Sequence, residues 1–271
     1  MASSKRYIYL IFALAVGLFF YQRNSSTEGF SKGKIASSLP PNPAWTIPAS
    51  PLEQQQELKA IFASPFKFLG EGAQAYAFES SDGKYVLKFF KMRRFTPSLA
   101  DHLCPHVVRR RLKNLNWVFN GYKIAYENFR KDTGLVFIHL AKTHDLQQMA
   151  TIIDQQGQEH TIDLDQTEFV LQEKAELLFE RLAKLYQKGD GQQAEQSIAA
   201  ILELVKRRID KGYADRDKGV SNNYGFVGDR AIQLDIGRLY KGTKERQFEH
   251  VQRRIQQWQE ENYSLISEYS N

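Results

Sequence analysis

The chain is almost without cysteine: of its 271 residues only Cys104 carries a thiol. An intrachain disulfide is therefore excluded, and so is a zinc site built on several thiolates. No local His/Asn signature accompanies Cys104, which reads as a small packing residue and not as a nucleophile. Histidine is sparse too, with six residues and none at metal-ligand spacing, so His139, His144 and His160 are assigned to loops or strand faces. One-sided charge is also lacking. A net charge of +6 is modest and dispersed; it favours an anionic ligand or an anionic membrane surface but does not argue for nucleic acid. No internal repeat is present. With 42% hydrophobic and 25% charged residues, the body has the composition of an ordinary globular domain.

A long uncharged apolar run occurs at residues 7–21 (YIYLIFALAVGLFFY), between Lys5-Arg6 and Gln22-Arg23. As a helix, fifteen residues reach roughly 22 Å, short of the ~30 Å hydrocarbon core, although terminal tyrosines and snorkelling basic side chains extend that reach. The reading is an uncleaved membrane anchor over residues 1–23. A cleaved signal peptide is the alternative, since Ala13-Leu14-Ala15 has the small-x-small form. Residues 24–51, rich in Ser, Pro, Gly and Lys, read as a flexible tether. The body then occupies residues 52–271. Its first part, to about residue 172, carries the strand signals, and the remainder is mostly helical.

From Phe66 the sequence FKFLGEGAQAYAFESSDGKYVLKFF shows two alternating runs around a Ser-Asp-Gly turn, with a glycine turn inside the first. Gly70, Gly72 and Ala75 occupy the three places of a G-x-G-x-x-G element, where small residues let backbone amides close over phosphate oxygens. An ordinary hairpin whose glycines supply positive φ is the competing account. Lys88 follows Tyr85-Val86-Leu87 on the next strand and shares a mostly apolar side with Val86 and Phe90, which asks for an anionic partner. A long amphipathic helix is predicted over residues 107–130, with Glu127 its only acidic residue. Further strands are predicted at 135–140, 151–154, 160–164 and 167–171. QEKAEL follows them in the place of a hinge. Two helices come next, the second carrying Ile198, Ile201, Leu202, Val205 and Ile209 on one face and Lys206-Arg207-Arg208 near its end.

The stretch 210–239 (DKGYADRDKGVSNNYGFVGDRAIQLDIGRL) carries the chemistry. Arg216-Asp217 is followed by Asn222, and a strand-like AIQLD leads into Asp235-Ile236-Gly237. Glycine turn, strand lysine, loop Asp and Asn, then Asp-x-Gly: in this order the elements resemble the protein-kinase-like superfamily, especially its small bacterial, lipopolysaccharide-kinase-like or aminoglycoside-phosphotransferase-like branches. The resemblance runs from about residue 66 to 239. It implies an α+β, two-lobed fold: an antiparallel N-lobe sheet with a helix, and a reduced, mostly helical C-lobe.

The same resemblance implies ATP and Mg²⁺ as cofactors. Lys88 would hold nucleotide phosphates beneath Gly70, Gly72 and Ala75, with Glu127 as the lysine's carboxylate partner or else a solvated surface charge. Asp217 would accept or orient the acceptor hydroxyl, and Asn222 and Asp235 would bind the metal, with Asn223 the alternative if the register slips by one. Arg216 would be a structural or electrostatic partner.

The sequence departs from the family pattern at Asp215, in the usual His place, at Ala75 for the third glycine, and at Ile236 for Phe. Thirty-four residues follow Gly237, too few for a full activation segment and the usual substrate platform. The expectation is a membrane-tethered phosphotransferase acting on a small or lipid-linked hydroxyl acceptor such as a lipid-linked sugar. A catalytically inactive kinase-like scaffold is the alternative. Basic residues balance across the apolar run, so topology is open; use of ATP would place the body on the cytoplasmic side.

Overall fold

The computed structural model describes residues 29–40, 42–47, 52–97, 101, 103–243 and 246–262. The apolar run 7–21 lies outside them. No helix among the described residues is long and apolar enough to cross a membrane.

The architecture is mixed α+β. A short helix α1 (Lys32–Ile35), a 3-10 turn (Pro43–Trp45) and α2 (Leu52–Phe62) precede β1 (Phe66–Glu71), β2 (Ala75–Ser80) and β3 (Tyr85–Phe90). Then come α3 (Met92–Phe95), the long α4 (Pro105–Asn128), α5 (Arg130–Thr133), β4 (Leu135–His139), β5 (Met149–Ile153), β6 (Glu159–Asp163) and β7 (Phe169–Glu173). These strands form one seven-stranded sheet in the order β4-β7-β3-β2-β1-β5-β6. Every pairing is antiparallel except that of β1 with β5, which attaches the β5–β6 hairpin to the outer side of β1.

The C-terminal part holds β8 (Glu176–Leu177), α6 (Leu178–Gln187), α7 (Gly191–Asp210), β9 (Tyr213–Asp215), β10 (Tyr224–Val227), β11 (Arg230–Gln233), β12 (Leu239–Lys241) and α8 (Gln247–Glu261). Its strands make two small sheets, β11-β10-β8 and β12-β9.

Alternation along the strands sends side chains to two faces, and each face builds its own core. One gathers Phe66, Phe78, Leu87, Phe89 and Phe169 with Leu58 and Phe62 of α2. The other sets Phe90, Ile138 and Val170 against Leu115, Phe119 and Tyr122 of α4, and includes Ile236 and Leu239 from the C-terminal part. A third core joins α6, α7 and α8. Because Ile236 is fully buried in the second core, the segment carrying Asp235 is fixed against the sheet and α4.

Part of the stretch read as a free tether is docked. Phe30 meets Tyr76 and Phe78 edge-on at 5.5 and 5.2 Å, and Trp45 packs on Phe119 at 5.0 Å. Phe30, Ile35 and Trp45 are all buried. Single apolar residues separated by polar ones have no period to betray them, yet each finds a recess between elements far away in sequence.

Candidate functional site

Lys88 sits mid-sheet, its backbone paired with Ala77 of β2 and Val170 of β7. Its ammonium donates to Gln172 Oε1 at 2.6 Å and to the Leu234 carbonyl at 3.2 Å. Gln172, itself buried, is held by donating to the Thr133 carbonyl at 2.6 Å. Burial lowers the Lys88 pKa from its ordinary value, while the nearby Asp235 carboxylate pulls it back up. The lysine strand and the Asp-x-Gly segment are thus in contact.

The glycine turn lies over the same segment. Neither Gly70 nor Gly72 takes positive φ, and a Cβ on either would meet nothing within 4 Å. The hairpin account, in which the glycines supply positive φ, therefore fails at both. Neither backbone angle nor internal packing calls for glycine at these two positions. The turn closes through Gly72 N–H donating to the Ala75 carbonyl at 2.9 Å. Gln74, at its tip, reaches Gly237: its Oε1 would lie 3.0 Å from a Cβ there.

Asp217 follows β9 and is shaped by buried neighbours. Its N–H donates to Asp215 Oδ1 at 2.7 Å, and its own Oδ1 accepts the Gly219 N–H at 2.7 Å. Asp215 Oδ2 accepts from Gln233 Nε2 at 2.5 Å, and Gln233 Oε1 in turn accepts from the buried Arg208. Gln247 brackets the Asp215 backbone, accepting from its N–H at 3.1 Å and donating to its carbonyl at 2.7 Å. Burial pushes the Asp215 carboxyl up to about 6, against the pull of the Asp217 N–H and the Arg208 charge. The buried Asp215 carboxylate thus holds the loop that carries Asp217.

Of the two asparagines, Asn222 is exposed and Asn223 is buried. The Asn223 amide and Asp217 Oδ1 both lie 3.1–3.2 Å from the position of a Cβ on Gly219, so these two side chains converge. The Leu234 N–H donates to the Asn223 carbonyl at 2.8 Å, which ties that residue to the segment before Asp235. Of the two, it is Asn223 whose side chain converges on Asp217 and whose backbone is tied to Leu234.

Glu127 is not brought to Lys88. It is half exposed and lies 3.9 Å from Lys123, one turn back on the same helix. The α4 residues facing the Asp-x-Gly segment are Val118, Tyr122 and Gly121, and a Cβ on Gly121 would come within 2.8 Å of the Gly237 carbonyl carbon and the Ile236 oxygen. Six residues further on, Glu127 is rotated about 120° around the helix.

Gln172, Gln233 and Arg208 were not singled out from the sequence as site residues. Arg208 had a signal: Ala194, Ser197, Ile201, Leu204 and Arg208 recur at heptad spacing, and all are buried. The two glutamines had none beyond being polar residues on strands.

The donor set suits an ion that brings its own ligands. Among the described residues no group of three or more His, Cys, Asp or Glu could hold a metal. Asn223 is tied through its backbone carbonyl to Leu234, next to Asp235; a magnesium held by one carboxylate and one amide oxygen would draw its remaining ligands from phosphate oxygens and water.

No protein-family model matches the chain, and no curated protein does. Among solved structures it is similar to the bifunctional kinase-methyltransferase WbdD, at 15% identity over 62% of this chain and 30% of that one, with a TM-score of 0.31. It is also similar to Rv3197 of Mycobacterium tuberculosis, solved in complex with erythromycin, at 13% identity over 82% of this chain and 60% of that one, with a TM-score of 0.34. The chain spans less than two thirds of either neighbour's length. At these TM-scores the likeness carries no argument about activity or substrate.

Proposed function

We propose that this chain is a kinase-like phosphotransferase that moves the γ-phosphoryl group of ATP to a hydroxyl of a small or lipid-linked acceptor, tethered to a membrane through residues 7–21. The observation that carries the reading is the contact of Lys88 with the Leu234 carbonyl, one residue before Asp235. It joins the phosphate side, Gly70 to Lys88, to the side bearing Asp217, Asn223 and Asp235.

In this reading the amides of the glycine turn and the Lys88 ammonium bind the nucleotide phosphates, and Asp235 with Asn223 holds magnesium. Magnesium bound with the nucleotide neutralises charge on the phosphates. Asp217 orients the acceptor hydroxyl and takes its proton. The acceptor oxygen forms a bond to the γ-phosphorus as the bond to the bridging oxygen breaks, its electron pair leaving with ADP. Alignment and charge compensation are what phosphoryl transfer chiefly demands, and the rigid segment around Ile236 supplies the alignment.

A second reading, the inactive scaffold, draws on one observation: Lys88 is partnered by the neutral Gln172 and not by a carboxylate of α4. The deciding experiment is a thermal-shift titration of the full chain with Mg-ATP, followed by ADP release in the presence of hydroxyl acceptors. The phosphotransferase reading expects a saturable shift, lost in Asp235→Ala, and acceptor-dependent ADP release. A shift without turnover would favour the scaffold, and no shift at all would defeat both nucleotide-binding readings.

A further inference from the structure

Beside the glycine turn, between α4 and the Asp217 loop, lies a groove of about 480 Å³ lined by Gln74, Arg94, Trp117, Arg216, Arg238 and Tyr240, among others. That volume is in the usual range for a small-molecule site. Among the described lining residues three are arginines and none is a carboxylate, with only Arg238 near one, 3.9 Å from Asp217 Oδ2. Like charges gathered in a concavity raise one another's energy, and a bound anion relieves that.

Arg216 is held in an unusual way. Its guanidinium contacts two rings, 4.5 Å from the Trp117 centroid and 4.6 Å from that of Tyr240. Such contacts hold the cation in place without using up its N–H donors. Among the described residues no carboxylate pairs with Arg216 or Arg94. An exposed arginine ordinarily loses rotamer freedom when it grips an anion; here the rings have already removed much of that freedom. The Arg216 N–H donates to the Arg238 carbonyl at 3.3 Å, beside the β9–β12 ladder that pairs Asp215 with Leu239, so the two arginines are set next to each other by rigid backbone.

The groove also opens at the reacting end of the site. Arg216 directly precedes Asp217, Arg238 Nε lies 3.9 Å from Asp217 Oδ2, and Gln74 belongs to the glycine turn. Val118 and Leu239 add an apolar wall.

We infer that this groove holds the negatively charged group, a phosphate or carboxylate, of the phosphoryl acceptor, and that the acceptor is about the size of a sugar phosphate. The inference rests on the function proposed above. With its anion on Arg216 and Arg238, such a molecule presents a neighbouring hydroxyl to Asp217. The anionic group can be free or borne on a lipid headgroup; the chemistry recognised is the same.

The test uses the full chain and three probes: inorganic phosphate, dihexanoyl phosphatidylglycerol below its micellar concentration, and Mg-ATP. Calorimetry and tryptophan fluorescence report binding, since Trp117 lines the groove. Arg216→Gln and Arg238→Gln are expected to weaken the phosphate probes at least about tenfold, the loss of charge-assisted hydrogen bonds, while leaving Mg-ATP binding in place. Lys88→Met should do the reverse. Should Arg216→Gln fail to fold without its guanidinium, the exposed Arg238 carries the test alone. Tighter arginine-dependent binding of the lipid probe assigns a lipid-borne group, and equal or tighter binding of inorganic phosphate assigns a free one. Phosphate affinities unchanged in the arginine variants overturn the inference. If the unaltered chain fails to bind Mg-ATP yet keeps arginine-dependent phosphate binding, the nucleotide reading falls and the anion groove stands.

Discussion

Gly121 of α4 lies against the backbone of Gly237, so close that a Cβ on residue 121 would come within 2.8 Å of the Gly237 carbonyl carbon. Helix and Asp-x-Gly segment approach closely at this point, with the Val118 and Tyr122 side chains flanking Gly237. Gly121→Ala is therefore expected to destabilise the fold by about 1–3 kcal/mol, the usual cost of overpacking, and to weaken nucleotide binding by displacing Asp235. Urea unfolding gives the first quantity and calorimetry the second.

Gly72 predicts the opposite pattern. A Cβ there meets nothing and φ is not positive, so Gly72→Ala should leave stability within about 0.5 kcal/mol of the parent. If phosphates occupy the space above the turn, the same substitution lowers nucleotide affinity. Unchanged affinity would argue against a phosphate-binding turn.

Asn222 and Asn223 separate cleanly by experiment. Asn223→Ala should abolish magnesium-dependent nucleotide binding, whereas Asn222→Ala, at an exposed position, should leave it intact. The reverse result would return the role to Asn222. In the same spirit, Glu127→Gln should change stability by no more than about 0.5 kcal/mol, because an exposed pair one helical turn apart contributes little. It should not alter nucleotide affinity.

Asp215 gives a pH prediction. Its folded pKa of about 6 lies above the ordinary value near 3.8, so between those values the folded chain binds more protons than the unfolded one. Stability from this group is then present at low pH and declines as pH rises from about 4 to about 6, levelling off above. Melting temperatures of Asp215→Asn should lack that component of the slope. Above about pH 6, where the parent's carboxylate accepts from both Asp217 N–H and Gln233 Nε2, the variant gives up one of those bonds, because an amide offers one acceptor oxygen.

The legible parts of the fold were those with a period. The long helix was expected over 107–130 and runs from Pro105 to Asn128, and β1 and β2 follow their alternation, whereas β3 is buried on both faces. Lys88 on an apolar strand face and Asp-x-Gly after a strand were local signals, and the structure brings Lys88 to the Leu234 carbonyl beside Asp235. What required three dimensions was partnership. Gln172 reaches Lys88 because β7 pairs with β3, and no spacing in the sequence announces that pairing. Which of Asn222 and Asn223 is buried depends on how one turn is wound, and the exposure of Glu127 on which face α4 turns to the sheet.

The docking of Phe30 and Trp45 has a mechanical consequence. On the membrane-anchored reading, a tether of residues 24–51 would give the domain a reach on the order of 90–100 Å at full extension. With Phe30 seated against Tyr76 and Phe78, only residues 24–29 remain to span the gap, a leash of roughly 20 Å. The domain would then patrol only a thin shell of space at the bilayer surface, favouring acceptors that live in that shell over those that must diffuse in from afar.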